Sequence, residues 1–230
     1  MPIRKEIDGP VGRLILDRPR RAHAYDQQHL DGILDTLCDL EARCRVVVVS
    51  STGDRAFCGG ADLTEVKAVD PLSALDLKSQ RVFSRLAASR CVTVAAVQGP
   101  AVGGGCELAL ACDIRVVGPR AAFRLPETSL GLLPAAGGTT RLTRLLGAAR
   151  AKQVILLGDT ISAQQALDWG LAARLSDDPL SEALAVAAQL AGRDPVALRL
   201  AKQLIDADES AAGLMAERIA EALLYTRRQT

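Results

Sequence analysis

Three short β-branched runs constrain the fold most: Val46-Val47-Val48-Val49, Val92-Thr93-Val94-Ala95-Ala96-Val97 and Ile114-Arg115-Val116-Val117. Each is bounded by polar or glycine residues, the pattern of strands buried on both faces. Helical spacing fills the intervals. From Asp26, a candidate N-cap, Leu30, Ile33, Leu34, Leu37 and Leu40 recur as one apolar stripe. A further helical pattern over Arg81 to Leu86 precedes the second run, and another helix is predicted to start near Gly105. Strands alternating with helices give an α/β core of repeated strand-helix units. After Gly138 the strand signals stop, and Arg141 to Leu157, Ser162 to Trp169, Leu180 to Leu190, Pro195 to Ile205 and Ser210 to Tyr225 all read as helices. Ser162-Ala163-Gln164-Gln165 has the form of a capping box, and Gly170 stands where a helix end favours glycine.

At 230 residues with 49% apolar side chains, one folded unit with a full core is expected. The balance of 28 basic against 27 acidic residues selects neither nucleic acid nor an anionic membrane as partner, leaving small molecules or further copies of the chain. No run approaches the ~18 apolar residues of a membrane span, and the N-terminus lacks a signal-peptide stretch, so a cytoplasmic protein is expected. Six cysteines lie in apolar or glycine-rich surroundings without a C-x-x-C pair, and His23 and His29 are the only histidines. Free buried thiols, with neither a disulfide framework nor a metal site, fit that pattern best.

Glu107 and Glu127 each close a glycine-framed segment, Gly103-Gly104-Gly105-Cys106-Glu107 and Leu125-Pro126-Glu127 running on to Gly137-Gly138. Three consecutive glycines are costly in chain entropy, and they imply either a tight strand-to-helix turn or close backbone approach to a ligand. A glutamate in a first helical turn is electrostatically favourable in its own right, whereas two carboxylates held in this way form a candidate acid-base pair. Phe57-Cys58-Gly59-Gly60-Ala61-Asp62 supplies another backbone turn whose N–H groups can meet a ligand oxygen. Ala61 and Gly104 are the candidate donors to an enolate oxygen. The glycine spacing matches neither the dinucleotide fingerprint nor the phosphate loop, and no nucleophile elbow is present.

Together these segments closely resemble the enoyl-CoA hydratase/isomerase, or crotonase, superfamily. The likeness begins at Leu16-Asp17-Arg18-Pro19 and continues through Phe57 to Asp62, Gln98 to Ala109, Leu125-Pro126-Glu127 and Gly137 to Leu142, ending near Leu171. Ordered motifs over roughly three quarters of the chain make coincidence improbable. The resemblance implies a spiral core of ββα turns over residues 1–175 and a shortened helical C-terminal region over 176–230, assembled as a homotrimer or a dimer of trimers. It also implies an acyl-CoA substrate whose thioester oxygen sits between Ala61 and Gly104. The two hydratase glutamates fall on Glu107, as base toward water, and Glu127, as the group serving the α-carbon. No metal or redox cofactor is implied, with coenzyme A entering as part of the substrate.

Arg18, Arg21, Ala22, Ala24, Arg55, Gly59, Gly60, Asp62, Leu63, Gly103 and Leu133 are the expected substrate-binding positions. The basic cluster of Arg18, Arg20 and Arg21 is either a phosphate site or a solvated loop. Tyr25, Leu63 and Leu133 either line the acyl pocket or belong to the core. Val66 to Gln80 is the expected specificity element. His23 stands where the family often has asparagine, and Thr64 where many relatives have lysine. The chain ends at Thr230, before the terminal helix that often covers the adenine, so the expected carrier is CoA held more loosely or a carrier protein's phosphopantetheine arm. Hydration of a 2-enoyl thioester is the leading expectation, with isomerisation, dehydration of another acyl thioester, or a non-catalytic partner as alternatives.

Overall fold

The computed structural model describes residues 3–62, 64, 73–207 and 211–228. Its main sheet has six strands, Ile3–Asp8, Val11–Leu16, Val46–Ser51, Val92–Val97, Ile114–Val117 and Arg174–Leu175, in that order across the sheet. β1 (Ile3–Asp8) and β2 (Val11–Leu16) form an antiparallel hairpin. β3 (Val46–Ser51), β4 (Val92–Val97), β6 (Ile114–Val117) and β9 (Arg174–Leu175) then follow β2 in parallel.

The unbroken valine runs have a direct physical reason, because both faces of the sheet are covered. Val47, Val49, Ala95, Val97 and Val117 join the larger core with Leu30, Ile33, Leu37 and Leu40 of α1 (Gln27–Arg43) and Phe83 of α2 (Lys78–Ala87). The alternate residues Val46, Val48, Val94, Ala96 and Val116 meet Ala183, Val186, Ala187 and Ala191 from a C-terminal helix, Pro179–Ala191, on the other face. Each buried valine contributes about 1.5–3 kcal/mol relative to exposure, so neither face tolerates a polar residue cheaply. Asp26 caps α1, accepting the His29 N–H at 3.0 Å.

A second layer carries the site. β5 (Ala101–Val102) pairs in parallel with β7 (Ala122–Arg124), which pairs antiparallel with β8 (Ile161–Ser162). Two isolated parallel bridges, Cys58 with Ala101 and Tyr25 with Ala61, extend this stack. Successive turns of chain therefore lie on one another: a strand in the main sheet, a short strand or bridge in the second layer, then a helix. α3 (Gly104–Leu110) starts where β5 ends.

Downstream lie α4 (Gly138–Leu156), α5 (Ala163–Asp168), α6 (Pro179–Ala191), α7 (Pro195–Asp206) and α8 (Ala211–Arg228). The capping box at Ser162 and Gln165 is formed, and Gly170 adopts the left-handed φ of a helix end. Three expectations are corrected. Cys38 is exposed on α1, whereas Cys44, Cys58, Cys91, Cys106 and Cys112 are buried. Strands do occur after Gly138, since β8 and β9 add two residues each to sheet edges, too short to leave a periodic signal. The helix expected from Arg141 to Leu157 bends at Gly147, whose φ of 77° and ψ of 162° interrupt α4.

Candidate active site

Residues 59–61 and the start of α3 approach each other because glycines leave no side chain between them. At Gly60, with φ of +91°, a Cβ would stand 2.8 Å from the Val102 carbonyl oxygen and 3.2 Å from the Gly104 nitrogen. Tyr25 N–H donates to the Gly60 carbonyl at 2.9 Å, and Asp62 N–H donates to the Tyr25 carbonyl at 2.7 Å. In a parallel bridge those two bonds flank Ala61, so its own N–H turns to the opposite side. Gly104 occupies the first turn of α3, where an N–H has no intrahelical acceptor. Ala61 and Gly104 thus offer two neighbouring amide donors.

Both carboxylates lie against glycines, Glu127 at Gly103 and Glu107 at Gly138, with Glu127 near enough to act on Glu107. Glu107, one turn into α3, is only 3% exposed. Its Oε1 accepts the Gly138 N–H at 2.8 Å, which ties α3 to the start of α4. Burial pushes its carboxyl up to about 7 and the charge of Glu127 adds to this, against the Gly138 and Ala136 backbone amides and the Arg141 guanidinium. Glu127 opens a 3-10 turn, Glu127–Leu130, just after β7. A Cβ on Gly103 would lie 2.9 Å from Glu127 Oε1, so this carboxylate rests directly on the glycine run. Its Oε2 is buried without a hydrogen-bond partner among the described residues. Burial raises its proton affinity too. The charge of Glu127 acts on Glu107, so the two titrations are linked. Two donors beside two such carboxylates can hold an oxyanion while exchanging protons with atoms nearby.

The remaining predicted residues sort by environment. Gly59, Gly60 and Gly103 lie in the turns just described. The Gly59 N–H donates to the Ala22 carbonyl at 2.8 Å. Arg18 bonds the Ala24 carbonyl at 3.0 Å and pairs with Asp26 at 3.6 Å and Asp62 at 3.3 Å, so it clamps the two chain segments that bridge at Tyr25 and Ala61. Asp62 also accepts from the Thr64 N–H and hydroxyl. Arg21 and Arg55 are solvent-exposed. Leu133 is 62% exposed, on a lip shared with Leu130 and Leu132. Leu63, and residues 66–72 of the expected specificity element, lie outside the described residues.

His23 takes a left-handed φ of 56°, a conformation that asparagine and histidine adopt more readily than most residues. Its Nδ1 accepts the Arg18 N–H at 3.1 Å, which leaves Nε2 to donate to the Thr52 carbonyl at 3.0 Å. Burial lowers its pKa, in keeping with that neutral tautomer. Two residues escaped sequence reasoning as site elements. Arg141 donates to the Ala136 carbonyl at 2.9 Å and faces Glu107. Ser79 lies against the Tyr25 hydroxyl. Only the proximity of Arg141 to Gly137-Gly138 hinted at the first, and no local signal pointed to the second.

The model of the enoyl-CoA hydratase/isomerase family matches residues 6–230. A probable enoyl-CoA hydratase of Mycobacterium leprae is 38% identical over 227 residues, covering 96% of this chain and 86% of that protein. The 2,3-dehydroadipyl-CoA hydratase of Escherichia coli is 39% identical over 211 residues, covering 89% and 83%. Among solved structures, an enoyl-CoA hydratase from Bacillus anthracis superposes with a TM-score of 0.90 at 33% identity, covering 96% of this chain and 90% of that one.

Proposed function

The chain belongs to the enoyl-CoA hydratase/isomerase family, and from that premise we propose that it adds water reversibly across the 2,3 double bond of a 2-enoyl-CoA thioester. The observation that carries this reading is the pairing of the buried Glu107 carboxylate, against Gly138, with the half-buried Glu127 carboxylate, on Gly103, near enough to act on it, with Glu127 Oε2 lacking a hydrogen-bond partner among the described residues. A reaction that only shifts a double bond needs one base, whereas hydration needs a group for water and a group for carbon.

In the proposed reaction the thioester oxygen accepts the Ala61 and Gly104 N–H groups. Glu107, as carboxylate, takes a proton from water as its oxygen bonds to the β-carbon. The π electrons move to the thioester oxygen, and the resulting enolate is held by the two amides. Glu127, as acid, then delivers a proton to the α-carbon as the carbonyl re-forms. One water is consumed, and the pair ends with its single proton on the other member, from which exchange with solvent restores the starting state. Each backbone donor is worth ~3–4 kcal/mol to the enolate in comparable acyl chemistry.

The chemistry calls for no metal or redox cofactor, because the thioester already acidifies the α-proton. Leu145 and Leu156 on α4, Leu157 just after it, Ile205 on α7 and Met215, Ile219 and Leu223 on α8 are exposed apolar residues, which supports assembly into a homotrimer or a dimer of trimers. Among the described residues no helix is long and apolar enough to cross a membrane. The test is incubation of the purified protein with crotonyl-CoA, following the conjugated thioester's ultraviolet absorbance and the product mass. Gain of one water supports the proposal. Absence of hydration with crotonyl-CoA and with longer, branched and carrier-protein-linked enoyl thioesters contradicts it.

A further inference from the structure

Tyr25 places a hydroxyl at the site that the reaction described so far leaves unused. Its backbone bridges to Ala61, while its side chain reaches the other amide donor. A Cβ on Gly104 would stand 1.9 Å from the Tyr25 hydroxyl oxygen, so the phenol rests on the α-carbon of Gly104. The ring is held edge-on against Phe83, with centroids 5.6 Å apart and planes at 88°. Packing therefore fixes where the hydroxyl sits, and only its hydrogen is free to turn.

The polar surroundings are also specific. Ser79 faces the phenol oxygen, and both Glu107 and Glu127 act on it electrostatically. Burial, reinforced by those carboxylates, pushes the phenol well above its ordinary range and keeps it protonated. A buried tyrosine hydroxyl normally finds hydrogen-bond partners, and here it can accept from Ser79 while keeping its own proton to donate.

We propose that the Tyr25 hydroxyl donates a third hydrogen bond to the thioester oxygen, beside the N–H groups of Ala61 and Gly104, with Ser79 orienting it from behind. The proposal rests on the thioester reading above. No proton leaves the phenol. Its O–H shortens toward the oxygen as negative charge builds there, so it favours the enolate over the bound substrate and acts on turnover more than on affinity.

The test uses Tyr25→Phe, which keeps the ring against Phe83, with acetoacetyl-CoA as a probe whose bound enolate is read by its ultraviolet absorbance. The expected result is a loss of enolate relative to keto form of about 10-fold or more, with a fall in kcat of about 10- to 100-fold, KM within about twofold and an unchanged melting temperature. Ser79→Ala is expected to shift both readouts in the same direction by less. Wild-type enolate absorbance and wild-type kcat in Tyr25→Phe would overturn the proposal while leaving the hydratase reading intact. A lowered melting temperature with both readouts normal would reduce Tyr25 to packing and also overturn it. If neither wild type nor variant binds the probe, kcat on the enoyl thioester that wild type does hydrate decides, and if wild type hydrates none of those named above, the thioester reading itself falls, and the proposal with it.

Discussion

The backbone N–H of Gly138 donates a 2.8 Å hydrogen bond to Oε1 of Glu107, and this bond joins the helix that carries the acid-base group to the helix that closes the site. It does not compensate fully for burial. The carboxyl is raised from 4.5 to about 7. The folded state therefore binds this proton more tightly than the unfolded state does. The associated stability is fully present below about 4.5 and is lost as pH rises through about 7, on the order of 3 kcal/mol. Glutamine cannot ionise and still accepts from Gly138. Urea denaturation should show Glu107→Gln more stable than wild type at pH 8, with the difference shrinking toward pH 5.

The same shift sets the pH dependence of turnover. Hydration as proposed needs the carboxylate pair to carry one proton, and the upper of its two titrations lies near 7. Measured from pH 5 to 9, kcat/KM is expected to decline about tenfold per unit above that upper value. A profile flat to pH 9 would contradict the shared-proton assignment.

Gly104→Ala tests the close approach at the turn. The added Cβ would meet the Tyr25 hydroxyl at 1.9 Å and its ring carbons at 2.7 and 2.9 Å. Neither the ring, held on Phe83, nor the α3 backbone yields cheaply. Loss of about 1–3 kcal/mol of stability is expected by chemical denaturation, together with loss of turnover. Gly53→Ala is the contrasting control, since a Cβ there meets nothing within 4 Å and only its φ of +68° opposes the change.

Arg18 and Arg21 should separate cleanly. Arg18 holds Ala24, Asp26 and Asp62, so Arg18→Ala is expected to lower the melting temperature and kcat together. Arg21 is exposed, and Arg21→Ala should leave stability unchanged while raising KM for a CoA thioester more at low salt than at high salt. Equal KM at both salt concentrations would remove Arg21 from the CoA site.

Much of this architecture was legible from local pattern. Val46 to Val49, Val92 to Val97 and Ile114 to Val117 are buried on both faces, and α1 carries one continuous stripe behind its Asp26 cap. The β1-β2 hairpin was not legible, because β1 is an edge strand whose Arg4, Lys5 and Glu6 face solvent and break the apolar alternation. Glu107 and Glu127 were visible because glycines frame them within a few residues. The Arg18 clamp was not, since nothing near Arg18 announces that Asp62 folds back against it. Tyr25 read equally well as pocket or core, and only the second-layer stacking brings its hydroxyl to Gly104.

The central claim is that two carboxylates hydrate the double bond together. Its most direct test is kcat for crotonyl-CoA hydration by wild type, Glu107→Gln and Glu127→Gln, each shown to be folded by circular dichroism. A reduction of at least ~100-fold in both variants is predicted, as expected when a general acid or base is removed. Near-normal turnover in either folded variant would contradict the account.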